Sequence, residues 1–322
     1  MTLPPEFALI AQHFRPLAGP GALDLSDDAA LLTPPPGREL VLAADAMVAG
    51  VHFLPDDSPG NIARKLLRTN LSDLAAMGAQ PLGYLLTVSL PRKMPPDWLQ
   101  GFAAGLAADQ HEFGLRVLGG DTTSTAGPVS LSLTIIGHVA PGTALRRNGA
   151  RAGDELWVSG TVGDGTLGLS VALGERAGDA AGHLADRYRI PRPRMALGQG
   201  LVGLAHAAMD VSDGLVQDLG HLCRASGCGA VLEAALVPLS PAAAAVLAAE
   251  PALLRRVLTG GDDYELLFAA PPGAAASIAA LAAATGTTAT RIGRFVAGDP
   301  LVTVLDGQGA PMTLSQEGWS HF

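Results

Sequence analysis

Lysine is nearly absent from this chain of 322 residues: it occurs only at Lys65 and Lys93, and the formal net charge is −9. A protein that grips a phosphate backbone carries a basic stripe, so nucleic acid is not expected as a partner. Cysteine is equally scarce. Cys223 and Cys228 lie outside CxxC spacing and have no His cluster nearby, which indicates neither a zinc site nor a disulfide framework. Long apolar runs are also missing, since the Ala-rich stretch "PPGAAASIAALAAATG" is too short and too interrupted to span a bilayer. The opening "MTLPPEFALIAQHF" has an acid and two prolines where a signal peptide needs a basic start and an unbroken apolar run. A cytoplasmic protein with no membrane partner is the expectation. No GxxxxGK[ST] occurs anywhere, which excludes a P-loop nucleotide enzyme.

The length suits two domains of ordinary size. Strands are expected at "ELVLAAD", "PLGYLLTVSL", "LRVLGGD" and "VSLSLTIIGHV", the last alternating apolar and hydroxyl residues so that one face is buried. Helical patterns fall at about 59–77 and 97–112, making the first half an α+β domain. The Gly-rich segment "PGTALRRNGARAGDE" then breaks the pattern, and a boundary is placed near residue 145. The second half has helix signals at 164–175, 213–225 and 273–285, and strand signals near 205–210, 229–233, 264–270 and 299–305. The expected architecture is therefore α/β in two domains, an N-terminal α+β domain of residues 1–145 and a C-terminal α/β domain of residues 146–322. Within the latter, "GDGTLG" (Gly163–Gly168) matches GxGxxG, but its flanks lack the βαβ unit and the later acid of a dinucleotide site, so it is read as a Gly-rich helix entry.

Carboxylates recur where strands are expected to stop: Asp45 after "ELVLAA", Asp121 after "LRVLGG" and Asp210 after "HAAM". One such acid is a turn residue. Three of them, with "SDDAA" (Asp27, Asp28) and "GGDDYELLF" (Asp262, Asp263), suggest a metal site. Asp73 sits on a helix expected to start at Ser58 and Pro59 and stop at Gly78, inside its apolar arc. A carboxylate there must be ion-paired, hydrogen-bonded or metal-bound. In "MDVSDGL", Ser212 or Asp213 is the expected cap of the next helix, which leaves Asp210 unexplained. "GGDTT" (Gly119–Thr123) adds glycines that let backbone amides approach phosphate oxygens, beside an acid and two hydroxyls. Single carboxylates from separate segments are what a magnesium-nucleotide site uses, and this points to phosphoryl transfer.

"SDDAA", "AADAMVAGVHF", "NLSDLAAMGAQP", "GGDTT", "RRNGARAGDELWVSGTVGDGTLGL", "MDVSDGL", "GGDDYELLF" and the terminal "GWSHF" together resemble the thiamine-monophosphate kinases, in order and spacing, over essentially the whole chain. That family shares an ATP-binding superfamily with aminoimidazole ribonucleotide synthetase, selenophosphate synthetase and a hydrogenase maturation factor. The resemblance implies transfer of the γ-phosphoryl group of ATP to thiamine monophosphate, giving thiamine diphosphate with several Mg²⁺ ions. It implies metal ligands at Asp27, Asp45, Asp73, Asp121, Asp210 and Asp213, and ATP contacts at Gly120, Asp121, Arg147 and Ser212. His52, Asp262 and Trp319 would hold thiamine monophosphate. No general base is expected, because a phosphate oxygen with a second pKa of about 6 is already mostly ionised. The resemblance also implies a homodimer formed through the sheet of the first domain.

Three positions depart from the family pattern. Ala43 and Ala44 replace hydroxyl residues before Asp45, Phe113 stands where a Tyr is common, and Asp262 replaces Glu, one methylene shorter. Two other readings stand beside the kinase: a synthetase of the same superfamily acting on a purine intermediate or selenide, and, from Ala43, Ala44 and Asp262, a non-catalytic ATP-binding protein. The chain lacks an N-terminal reactive Cys and a Cys near its C-terminus, which speaks against the selenium and hydrogenase branches.

Overall fold

The computed structural model describes residues 5–177, 179–314 and 318–319. The chain divides into two compact units, one of Met1–Leu74 and Ala79–Gly142, the other of Ala75–Gly78 and Thr143–Phe322. In the first unit α1 (Pro5–Leu9) precedes β1 (Glu39–Val48), α2 (Pro59–Ala76), β2 (Gln80–Pro91), α3 (Trp98–Phe113), β3 (Arg116–Thr125) and β4 (Ser130–Val139). Its sheet runs β1-β4-β2-β3, with only β2 and β3 parallel. A parallel pair needs a crossover, and α3 supplies it.

One face of this sheet is covered by helix. Leu131, Leu133 and Ile135 of β4 are buried while Ser130, Ser132 and Thr134 between them are not. On the covered face Leu74 of α2 packs so close to Gly137 that a Cβ there would stand 2.9 Å from it. Asp45 pairs with Leu133 across β1 and β4 and so shares the covered face; Asp121 pairs with Thr87, itself opposite Ser132, and so shares the open one. Both acids lie inside their strands. The expectation that these strands stop at them took Asp as a terminator, whereas edge strands such as β1 and β3 accommodate it.

Helix α2 begins as its sequence predicts, with Asn61 N–H donating to Ser58 Oγ at 3.2 Å, and Gly78 beyond it takes φ +70°. It is not a one-sided helix. From Ile62 to Ala76 nearly every residue is buried, Arg68, Asn70 and Ser72 included, and Asp73 is half-buried among them. Arg68 is held by the fully buried Asp109 of α3, to which it donates from Nε at 2.7 Å and Nη2 at 2.9 Å, and it reaches Glu112 at 2.6 Å. Arg64 donates to the same carboxylate at 3.0 Å, and the Arg68 guanidinium lies 5.1 Å over the Phe113 ring.

The second unit contains β5 (Glu155–Ser159), α4 (Asp164–Ala172), α5 (His183–Arg189), α6 (Met195–Leu201), β6 (Ala207–Asp210), α7 (Leu215–Ser226) and β7 (Gly229–Glu233). After these come α8 (Pro241–Ala249), α9 (Leu254–Thr259), β8 (Leu266–Ala270), α10 (Ala275–Thr285), β9 (Ala289–Val296) and β10 (Val302–Leu305). Its sheet runs β10-β7-β9-β5-β8-β6, parallel only at β10 and β7. Both faces are covered. Leu156, Val158, Met209 and Leu267 pack with α4 and α7, whereas Trp157, Ala208, Phe268 and Leu266 pack with α6 and α10. This explains why β5, β6 and β8 read as continuous apolar runs. Among the described residues no helix is long and apolar enough to cross a membrane.

Replacing Asp109 by Ala removes the buried carboxylate that Arg64 and Arg68 share, and a loss of about 3 kcal/mol is expected in urea unfolding; a loss below about 1 kcal/mol would contradict the role given to this ion-pair network.

Candidate active site

In the first unit a cleft of about 590 Å³ opens on the uncovered side of the sheet. Asp27, Gly120 and Asp121 are among its walls, together with Thr87 and Ser132; Asp45, His52 and Asp73 are not. Asp27 folds back on its own segment, accepting from Asp28 N–H at 2.9 Å. Gly120 has φ +154°, and a Cβ on it would stand 1.7 Å from the Leu86 carbonyl oxygen, so the close approach that demands glycine is strand against strand. His52 accepts the Val48 N–H on Nδ1 at 3.0 Å, which places the proton of the neutral ring on Nε2.

The second unit gathers three motifs far apart in sequence. Asp210 ends β6, almost fully buried, as its sequence predicts. The following residues pair with the "GGDDYEL" loop: Ser212 O accepts Asp262 N–H at 2.9 Å, and Val211 O accepts Tyr264 N–H at 2.8 Å. The C-terminal segment joins them, with Trp319 N–H donating to Asp213 O at 3.0 Å and Gln217 Nε2 donating to Trp319 O at 2.7 Å. The Trp319 backbone is thereby tied down while the residue stays 55% exposed. Burial, with Arg224 and the exposed Arg147, lowers the pKa of His221, on which Asp213 acts in the opposite sense.

Helix α7 is not capped by Ser212 or Asp213. It starts after Gly214, and Oδ2 of Asp218, in its first turn, accepts the N–H groups of Ser212, Asp213 and Gly214 at 3.0, 3.0 and 3.1 Å. The cap comes from within the helix, so searching the residues before it could not find it. Burial, with repulsion from Asp210 and Asp213, pushes the Asp218 pKa up to about 7.

Asp263 and Glu265 are fully buried and were also invisible as structural groups in the sequence. The Asp263 carboxylate accepts Gly163 N–H at 2.7 Å and Gly165 N–H at 2.9 Å, closing the start of α4; burial still raises its pKa to about 7. Glu265 receives Arg187 at 2.9 Å, Arg194 Nε at 2.6 Å and Ser159 Oγ at 2.6 Å. Asp164 is buried too, accepting from Thr161 at 2.6 Å and Ser240 at 2.5 Å. Gly163, Asp164 and Gly165 of "GDGTLG" are thus engaged in internal hydrogen bonds.

Among the described residues no group of three or more His, Cys, Asp or Glu side chains is disposed to hold a metal ion. The candidate donors are all carboxylates, hard oxygen ligands of the kind magnesium takes one or two at a time, completing its shell with water and phosphate. Repulsion from Asp210 and Asp213 adds to burial in raising the Asp218 pKa, so the carboxylates at this helix start crowd one another.

Residues 26–139 match the family of AIR synthase related protein N-terminal domains, and residues 151–306 match the corresponding C-terminal domains. Fold and site thus define a two-domain protein of the AIR synthase related class. The chain is 46% identical to the thiamine-monophosphate kinase of Caulobacter vibrioides over 99% of its own length and 91% of that protein. The crystal structure of thiamine-monophosphate kinase from Stenotrophomonas maltophilia superposes with a TM-score of 0.81 at 41% identity, covering 89% of this chain and 91% of that one. A second structure, AaThiL complexed with AMPPCP and TMP, gives a TM-score of 0.79 at 29% identity over 92% and 91% of the two chains. The chain belongs to the thiamine-monophosphate kinase family.

Because its pKa is raised, Asp263 keeps a proton in the fold that the unfolded chain has already released. That stability is full below the ordinary carboxylate range near about 4 and is lost as pH rises toward about 7. The unfolding free energy of the wild type minus that of Asp263→Asn is expected to fall between about pH 5 and about pH 8; a constant or rising difference would contradict this.

Proposed function

We infer that this chain transfers the γ-phosphoryl group of ATP to thiamine monophosphate, releasing ADP and thiamine diphosphate. Family membership over 99% of the chain carries this reading, and the relative complexed with AMPPCP and TMP supports a site for a nucleoside triphosphate together with an acceptor.

Asp27, Asp45, Asp73 and Asp121 of the first unit and Asp210 and Asp213 of the second are the proposed magnesium ligands. Bound magnesium supplies neutralisation of the charge spread over the phosphoryl oxygens, against which two phosphate anions otherwise repel. Gly120, Asp121, Arg147 and Ser212 are the proposed ATP contacts. The amides of Ser212, Asp213 and Gly214 already serve the Asp218 carboxylate, so the phosphate contact of this segment falls to the Ser212 hydroxyl and not to the helix end. Arg147, exposed, offers a guanidinium fork suited to phosphate oxygens.

On the acceptor side His52 offers an Nε2 proton, Asp262 a carboxylate and Trp319 an exposed ring for stacking on an aromatic ring of thiamine monophosphate. No side chain is assigned as general base, since the attacking phosphate oxygen ionises with a pKa of about 6. The protein acts by holding and orienting both phosphates.

A homodimer is part of the same reading. Leu40, Leu42 and Leu85 project from the open face of the first sheet at 38, 62 and 40% exposure, and β1 has an unpaired outer edge, which a second copy would cover. The cytoplasm is the proposed compartment.

With ATP, Mg²⁺ and thiamine monophosphate the purified protein is expected to form thiamine diphosphate, detected by chromatography. Asp210→Asn is expected to lower turnover about a hundredfold with an unchanged circular dichroism spectrum. Turnover equal to wild type would contradict the role of Asp210, and absence of product from wild type would contradict the function.

A further inference from the structure

Asp262 occupies a left-handed backbone conformation, φ +70°, which a residue with a Cβ adopts at a cost, and Tyr264 two residues on does the same at φ +51°. Between them Asp263 points inward to the start of α4, while Asp262 and Tyr264 stay half-buried. Hydrogen bonds to several segments hold the loop in this form. Asp262 and Tyr264 donate to Ser212 O and Val211 O, Arg187 Nη2 donates to the Asp263 carbonyl at 3.0 Å, and the Asp263 carboxylate spans Gly163 and Gly165. The packing leaves no slack. A Cβ on Gly165 would stand 2.4 Å from the Asp262 carbonyl carbon, and one on Gly261 would stand 2.2 Å from Ser212 O.

We propose that Asp263 is a positioning residue of the acceptor site: by gripping the start of α4 it locks Asp262 in its left-handed conformation and so sets the affinity for thiamine monophosphate. It does this without touching the substrate. The proposal rests on the reading of Asp262 as an acceptor contact. It also gives "GDGTLG" a role. The segment is the anchor against which the acceptor loop is set, and Gly165 is a glycine because the loop backbone lies where its side chain would be.

Calorimetric titration with thiamine monophosphate and, separately, with AMPPCP tests this on the full chain. An Asn at 263 can accept only one of the two N–H groups, because its amide nitrogen is itself a donor. Gly165→Ala presses on the loop backbone from α4 itself and leaves the carboxylate intact. Both substitutions are expected to weaken thiamine monophosphate about tenfold while AMPPCP affinity stays within about twofold. Wild-type affinity for thiamine monophosphate in both variants overturns the proposal, as does an equal loss for both ligands, which marks a purely structural role. Wild type that fails to bind thiamine monophosphate overturns the functional reading and this proposal with it. If either variant does not fold, hydrogen exchange on wild type decides: thiamine monophosphate is expected to slow exchange of the Gly163 and Gly165 amides, and unchanged exchange overturns the proposal.

Discussion

A carboxylate with no exposure to water is costly unless every one of its oxygens is satisfied, and the second unit is arranged around such a group. Asp263 offsets part of that cost by giving one oxygen to each of two amides at the start of α4, and burial still raises its pKa to about 7. Those amides belong to a helix end that otherwise has none to accept them, so a single interaction closes two deficits. Its reach extends along the chain in both directions. Downstream, Glu265 is bound by Arg187, Arg194 and Ser159 and sits where a Cβ on Gly160 would collide with it. Upstream, Asp262 is turned outward and joined to Ser212, and the same segment receives Trp319 through Asp213. The acceptor candidates Asp262 and Trp319 and the nucleotide candidate Ser212 are joined through backbone hydrogen bonds of the segment that Asp263 and Asp218 hold in place.

The first unit uses a different device. Its sheet has one face packed against α2 and α3 and one face open, and the register that sets Asp45 of β1 opposite Leu133 and Asp121 of β3 level with Ser132 sends these two acids to opposite sides. Asp27 and Asp121 thereby share a cleft, and Asp45 is on the side of α2, which also carries Asp73. The open face combines hydroxyls such as Ser132 and Thr134 with exposed leucines, a mixture that a monomer exposes at a cost and that a partner copy or a ligand would cover.

How much of this was legible in the sequence depended on whether the deciding contact was local. The alternation of β4 could be read because one face meets the core and the other does not, and the start of α2 could be read because Ser58 caps it from the position before the helix. Strand β9 escaped notice because Arg291 and Arg294 interrupt its apolar run; both are about half exposed and reach Glu155 and Glu233 at 3.9 and 4.0 Å. The seven-residue α5 escaped as well, its Arg187 being buried by a partner 78 positions away. The acids of the site stood out as a group, and the resemblance singled out Asp262, yet composition and spacing alone could not separate it from Asp263. What separates them is backbone handedness and the distant Gly163 and Gly165 amides, neither of which leaves a periodic signal. Asp218 was missed for a related reason, since it caps its helix from the fourth helical position.

On the proposed function the transfer is direct, phosphate to phosphate, with magnesium on carboxylates as the proposed source of charge neutralisation and no covalent step on the protein. A synthetase of the same superfamily would instead spend ATP to activate an acceptor and release the γ-phosphate. Following the γ-phosphoryl label of ATP separates the two most directly. With thiamine monophosphate present, the expected result is label in the terminal phosphate of thiamine diphosphate; label appearing as inorganic phosphate, with no labelled thiamine diphosphate, would contradict the account.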